Sequence, residues 1–83
     1  MSKFHNELMI LERVCNLINR KMTGTAEELA SRLEVSRATA YRYIDFFRNA
    51  GVHVNYCKER QSFCFKEPLD FGVFLNELRG CYA

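Results

Sequence analysis

The sequence predicts a mainly α-helical domain with one small β-hairpin, in the order α-α-α-β-β-α. Three observations predict it. Apolar residues recur at three- and four-residue steps in successive segments as far as Asn49. The period then changes to two between Val52 and Lys66. A final segment, Asp70 to Arg79, returns to helical spacing. With 83 residues the chain is expected to form one domain, and its 48% hydrophobic residues, with seven Phe and four Tyr, can fill a core of that size.

The first helix is expected from about Asn6 to Lys21, where Leu8, Leu11, Val14, Cys15 and Ile18 make one apolar face. Ile10 and Leu17 widen that stripe, and Gly24 is expected to end the helix. Thr25 opens a second helix, because Thr25 and Glu28 stand in capping-box spacing. Its short buried face is Leu29, Ala30 and Leu33. Ser36 is the next N-cap, and a third helix follows to about Asn49, with Ala40, Tyr43, Ile44 and Phe47 inward. Gly51 is its expected stop.

Beyond Gly51, Val52, Val54 and Tyr56 alternate with His53, Asn55 and Cys57, and Phe63 and Phe65 with Cys64 and Lys66. This is a hairpin with one apolar face. The Lys58-Glu59-Arg60-Gln61 turn lacks Asn-Gly or Asp-Gly, and a four-residue loop is expected to put Cys57 across from Cys64. Pro68 closes the second strand, and Phe71, Phe74, Leu75 and Leu78 form the stripe of a tail helix. That stripe must be covered by the body of the domain or by another chain.

Function rests on the second and third helices. Two short helices joined by a tight three-residue turn make a helix-turn-helix. A small residue is needed where the helices cross, and Ala30 supplies it. Val35 plugs the turn into the core, and Ala40 and Ile44 continue the inward side.

The stretch EELASRLEVSRATAYRYIDFFRNAG resembles the DeoR-like and type-11 helix-turn-helix domains of bacterial transcription regulators. The likeness lies in its Glu-Leu-Ala opening, its Val-Ser-Arg turn and the Tyr-Arg pair on the third helix. VHVNYCKERQSFCF resembles the wing that follows in those domains, so the likeness runs from about Leu8 to Pro68. It implies a winged helix-turn-helix with a three-helix core, a two-stranded wing and a short C-terminal helix. The helix-turn-helix would occupy about residues 25–50, the wing 52–66 and the tail helix 70–79. Glu34 departs from the family by standing where a glycine is frequent. Members often continue into a sensory domain, and for this chain the sequence leaves open whether it works alone or beside a separate sensor protein.

The resemblance implies sequence-specific binding of double-stranded DNA in transcription regulation, with the third helix in the major groove. Arg37, Ala38, Tyr41 and Arg42 are then the base-reading candidates, the two arginines by bidentate contacts to guanine. Thr25, Ser36 and Thr39 are candidates for phosphate, and Lys58 and Arg60 for backbone or minor groove at the wing tip. Asp45 is expected to pair with Arg42 or Arg48; the alternative is acceptance from a cytosine amino group. Net charge is only +2, but the stretch from Arg32 to Arg60 holds six cations against three anions. The rival reading is a winged helix used for protein contact without DNA.

Other chemistries find less support. His53, Cys57 and Cys64 share a hairpin face and would suit zinc, yet there is no Cys-x-x-Cys pair, and Cys also serves as a small surface hydrophobe. Cys15 is expected in the core and Cys81 exposed near the terminus. His5 and His53 lie far apart with no nucleophile motif near either, and no glycine-rich phosphate loop exists, so neither an enzyme nor a cofactor is expected. No apolar run reaches the roughly 18 residues a membrane span needs, and no signal-peptide pattern precedes the first helix. A cytoplasmic protein is expected. A domain this small is expected to dimerise for useful specificity, through the first helix or through Phe71, Phe74 and Leu78 of the tail.

Overall fold

The computed structural model describes the backbone of residues 3–82 and the side chains of residues 7–78. His5 and Cys81 therefore lie outside the described side chains. The elements are α1 (Lys3–Asn19), α2 (Ala26–Leu33), α3 (Arg37–Asn49), β1 (Val54–Cys57), β2 (Ser62–Phe65) and α4 (Phe71–Tyr82). This is a mainly helical winged helix-turn-helix, with the antiparallel β1–β2 hairpin as its wing.

The helical stripes bury the residues their spacing selects. Leu11, Val14, Cys15 and Ile18 of α1 meet Leu29, Ala30 and Leu33 of α2 and Ala40, Ile44 and Phe47 of α3 in one core. Val35 is half-buried against that core from the turn. Phe47 is fully buried and stands among four other aromatic rings: Phe46 at 5.4 Å, Phe65 at 5.7 Å, Phe71 at 6.4 Å and Phe74 at 5.4 Å between centroids. A fully buried Phe contributes about 1.5–3 kcal/mol of transfer free energy. Phe47 therefore joins α3, the wing and the tail in one packing unit.

The tail stripe is thus covered within the chain. Phe71 and Phe74 are buried on α3, which removes two of the three tail residues expected at a dimer contact. Leu78 is half-buried against the same core. α4 is also anchored at its entrance. The Asn19 side-chain amide donates to the Leu69 carbonyl at 2.7 Å, and its carbonyl oxygen accepts from the Leu69 N–H at 3.0 Å. Asp70 Oδ1 then accepts from the Val73 N–H at 3.1 Å, as an N-cap does.

α1, α2 and α3 end in the same way. Lys21, Glu34 and Gly51 each lie in the left-handed region, with φ of 58°, 58° and 91°. At each end the following N–H reaches back to the last turn, from Met22 to Leu17, Val35 to Ala30 and Val52 to Phe47, all at 3.0 Å. This six-to-one bond is the Schellman closure. Gly51 stops α3 as expected. Gly24 does not end α1: Lys21 does so three residues earlier, because the closure bonds outweigh the strain of a side chain at positive φ.

The hairpin register pairs Val54 with Phe65, Asn55 with Cys64, Tyr56 with Phe63 and Cys57 with Ser62. The loop is Lys58 to Gln61, closed by a Gln61 N–H to Lys58 carbonyl bond at 3.3 Å. Such a four-residue loop joins its two flanking residues directly, so Cys57 faces Ser62, not Cys64. Val54, Phe63 and Phe65 are buried on the apolar face as the alternation predicts.

Candidate nucleic-acid interface

The helix-turn-helix is held by its caps. The Thr25 hydroxyl accepts from the Glu28 N–H at 3.2 Å, and Glu28 Oε1 accepts from the Thr25 N–H at 3.0 Å. That backbone N–H, the larger cause, and the Thr25 hydroxyl hold the Glu28 carboxyl below its ordinary range. The Ser36 hydroxyl accepts from the Thr39 N–H at 3.1 Å and donates to the Thr39 hydroxyl at 2.9 Å. Glu34, Val35 and Ser36 make the three-residue turn that sets α3 across α2.

At about 3.6 residues per turn, Arg37, Tyr41 and Arg48 fall on one flank of α3, and Ala38, Arg42 and Asp45 on its outermost strip. The four base-reading candidates, Arg37, Ala38, Tyr41 and Arg42, are all exposed, as are Ser36, Lys58 and Arg60; Thr25 and Thr39 are half-buried. They do not point one way. Arg37 and Tyr41 turn toward the wing, where they line an open groove of about 550 Å³ with Thr25, Glu27, Arg48 and Tyr56. Ala38 and Arg42 look away from the body, and Arg42 has no hydrogen bond or ion pair among the described residues.

Tyr41 has a role that its outward spacing did not suggest. Its ring meets Phe63 edge-on at 6.5 Å, and Tyr56 meets the same Phe63 at 5.1 Å, so an aromatic bridge joins α3 to the wing. Arg48 makes a second bridge, with Nε and Nη2 donating to the Val54 carbonyl at 3.3 and 3.2 Å. Its Nη1 lies 3.5 Å from Asp45, which resolves the expected Asp45 pairing in favour of Arg48 over Arg42.

Sequence reasoning missed Glu27. Its carboxylate lies 3.2 Å from Arg37 Nη1, across the helix-turn-helix. A contact ten residues apart between two helices leaves no periodic trace, although an acid in the first turn of α2 was visible. Glu27 and Glu28 also place two carboxylates at the start of α2, where Thr25 was expected to meet phosphate.

The described thiols are those of Cys15, Cys57 and Cys64. Cys15 is buried, and burial, then Asp70 and Glu12, push its thiol up to about 11. Cys57 and Cys64 are free and half-buried. Among the described residues no three His, Cys, Asp or Glu side chains gather at metal-binding spacing. No described helix is long and apolar enough to cross a membrane.

No curated protein and no solved structure matches the chain. The model of one family, described as an HTH domain, matches residues 8–56, from within the first helix into the first wing strand. It stops short of β2, which completes the hairpin, and of α4. Over more than half of its length the chain has the sequence of that family and, around it, the fold: it belongs to the type-11 helix-turn-helix domains, a family of DNA-binding domains.

Proposed function

We propose that the protein binds double-stranded DNA in a sequence-specific manner and regulates transcription, α3 entering the major groove and the wing following the backbone or minor groove. The observation that carries this reading is the exposed outer strip of α3, with Arg42 unengaged, on the same chain as the exposed Lys58 and Arg60 of the wing tip. Arg42 is the leading candidate for a bidentate guanine contact, and Arg37 the second. Ser36 and Thr39, at the start of α3, would hold phosphate through their hydroxyls. The cytoplasm is the setting this reading implies.

Two copies on a symmetric site would enlarge the small footprint of one domain. With Phe71 and Phe74 buried, the described residues that offer apolar surface for such a contact on these helices include Met9 of α1, 57% exposed, Val73 of α4, 53% exposed, and the half-buried Leu78.

The test is selection of bound duplexes from a random library, with affinity followed over salt. The reading expects one recurrent motif and an affinity that falls steeply as salt rises, by about 0.9 log unit per log unit of salt for each phosphate contacted. Flat or absent binding to any duplex at low salt overturns it and favours a protein-contact role.

A further inference from the structure

The charged groups that line the groove between α3 and the wing are Glu27, Arg37 and Arg48, and Glu27 is the acid among them. Arg48 is committed to the Val54 carbonyl and Asp45, leaving Arg37 as the groove's cation for a ligand. Arg37 is held through Nη1 alone, at 3.2 Å from Glu27 Oε1. A guanidinium has five N–H donors in a rigid fork, so Nε and Nη2 keep theirs. Glu28 is committed elsewhere, its Oε1 accepting from the Thr25 N–H in the capping box. The backbone under Glu27 is fixed by that capping box and by the buried Leu29, Ala30 and Leu33.

We propose that Glu27 is a positioning residue that sets the base preference delivered by Arg37, an inference that rests on the DNA-binding function proposed above. An arginine beside a polyanion takes the nearest phosphate, and that contact carries no sequence information. Glu27 works against this outcome twice: it already accepts from Arg37, and its charge repels a phosphate brought to the same guanidinium. A guanine edge offers two acceptors, N7 and O6, with no net charge. It can take the free side of the fork while Nη1 stays on Glu27. The carboxylate therefore penalises the wrong partner more than the right one, which is how discrimination arises from a repulsive element. The two side chains are 62% and 76% exposed, so a duplex can reach the pair.

The test compares wild type, Glu27→Gln, Arg37→Ala and the double variant by library selection, and by affinity for selected and random duplexes over salt. Gln keeps the shape of Glu27 and removes its charge at an exposed site. Glu27→Gln is expected to bind random duplex more tightly with a steeper salt slope. Its preference is expected to fall about two- to five-fold, the scale of an exposed ion pair, only at the base pair that Arg37→Ala also affects. In the Arg37→Ala background the same change is expected to leave preference unaltered. A wild-type motif that Glu27→Gln leaves intact, or a shift that persists without Arg37, overturns the inference while the DNA-binding reading stands. A wild type that selects no motif overturns both.

Discussion

Thr23 and Ser62 are both fully buried, 39 residues apart in the chain, with their hydroxyl oxygens 3.1 Å from each other. Ser62 Oγ also accepts from the Thr23 N–H at 3.1 Å, and Thr23 Oγ1 accepts from the Phe63 N–H at 2.9 Å. The loop between α1 and α2 thus serves as a partner for the outer edge of β2. One threonine satisfies an N–H that a two-stranded sheet would otherwise leave open.

Thr23→Val keeps the shape and removes the bonds of the Thr23 hydroxyl with Ser62 Oγ and with the Phe63 N–H, while the backbone N–H of residue 23 keeps its bond to Ser62 Oγ. It leaves the Phe63 N–H without its partner, at about 1–3 kcal/mol for a buried group left unpaired, while the Ser62 hydroxyl still donates to the Phe63 carbonyl at 2.9 Å. Urea unfolding should show a lower midpoint with an unchanged slope. A variant within about 0.5 kcal/mol of wild type, the range of an ordinary surface change, would mean that the latch adds no stability.

The three helix closures make a matched set of backbone tests. A Cβ at Gly51 would meet nothing within 4 Å, so Gly51→Ala isolates the left-handed strain. It should destabilise by about 1–2 kcal/mol. Lys21→Gly and Glu34→Gly relieve that strain and should stabilise, less the roughly 0.5–1 kcal/mol entropy cost of glycine. Thermal melts of the three variants check the opposite signs.

At the wing tip, Lys58 and Arg60 are exposed on the loop that joins β1 to β2. Replacing both with Ala should weaken binding to all duplexes alike and reduce the salt slope by about 2. The selected motif should stay the same. A changed motif would assign base reading to the wing.

Cys15 predicts a pH effect on stability. Its thiol is raised from an ordinary 9.0 to about 11, first by burial and then by Asp70 and Glu12. The folded chain thus keeps a proton that the unfolded chain releases. The contribution is complete below about pH 9, declines as pH rises from there to about 11, and then levels off. Cys15→Ala should flatten that decline relative to wild type in alkaline unfolding curves. An equal decline in both proteins would rule out this thiol. At neutral pH the buried Cys15 should also react with iodoacetamide far more slowly than Cys57 and Cys64.

The residues that sequence reasoning placed well are those whose role is decided within one turn of chain. Thr25 with Glu28, Ser36 with Thr39, and the inward line of Ala40, Ile44 and Phe47 are local facts of helix geometry. The hairpin faces also followed from alternation, whereas the opposition of Cys57 and Ser62 depended on counting across the loop. What stayed hidden is held by distant partners: Asn19 on Leu69, Thr23 on Ser62, Arg48 on the Val54 carbonyl, Glu27 on Arg37. The covering of Phe71 and Phe74 belongs to the same class, since a stripe shows that a surface is needed and not which one. For the interface, exposure of Arg42 was legible and the turning of Arg37 and Tyr41 toward the wing was not.

The contacts of Arg48 with the Val54 carbonyl, of Tyr41 with Phe63 and of Phe47 with Phe65 fasten the hairpin to α3 along its length. A hairpin fastened in this way cannot swing to suit its target. The separation between the outer strip of α3 and the tip at Lys58 and Arg60 is then a built-in ruler. A duplex that engages both ends must match that length, by its groove width or by bending. Insertions between Cys57 and Ser62 would lengthen the ruler without disturbing its mount, so loop length at this point is the dimension through which such a scaffold can be fitted to a different site.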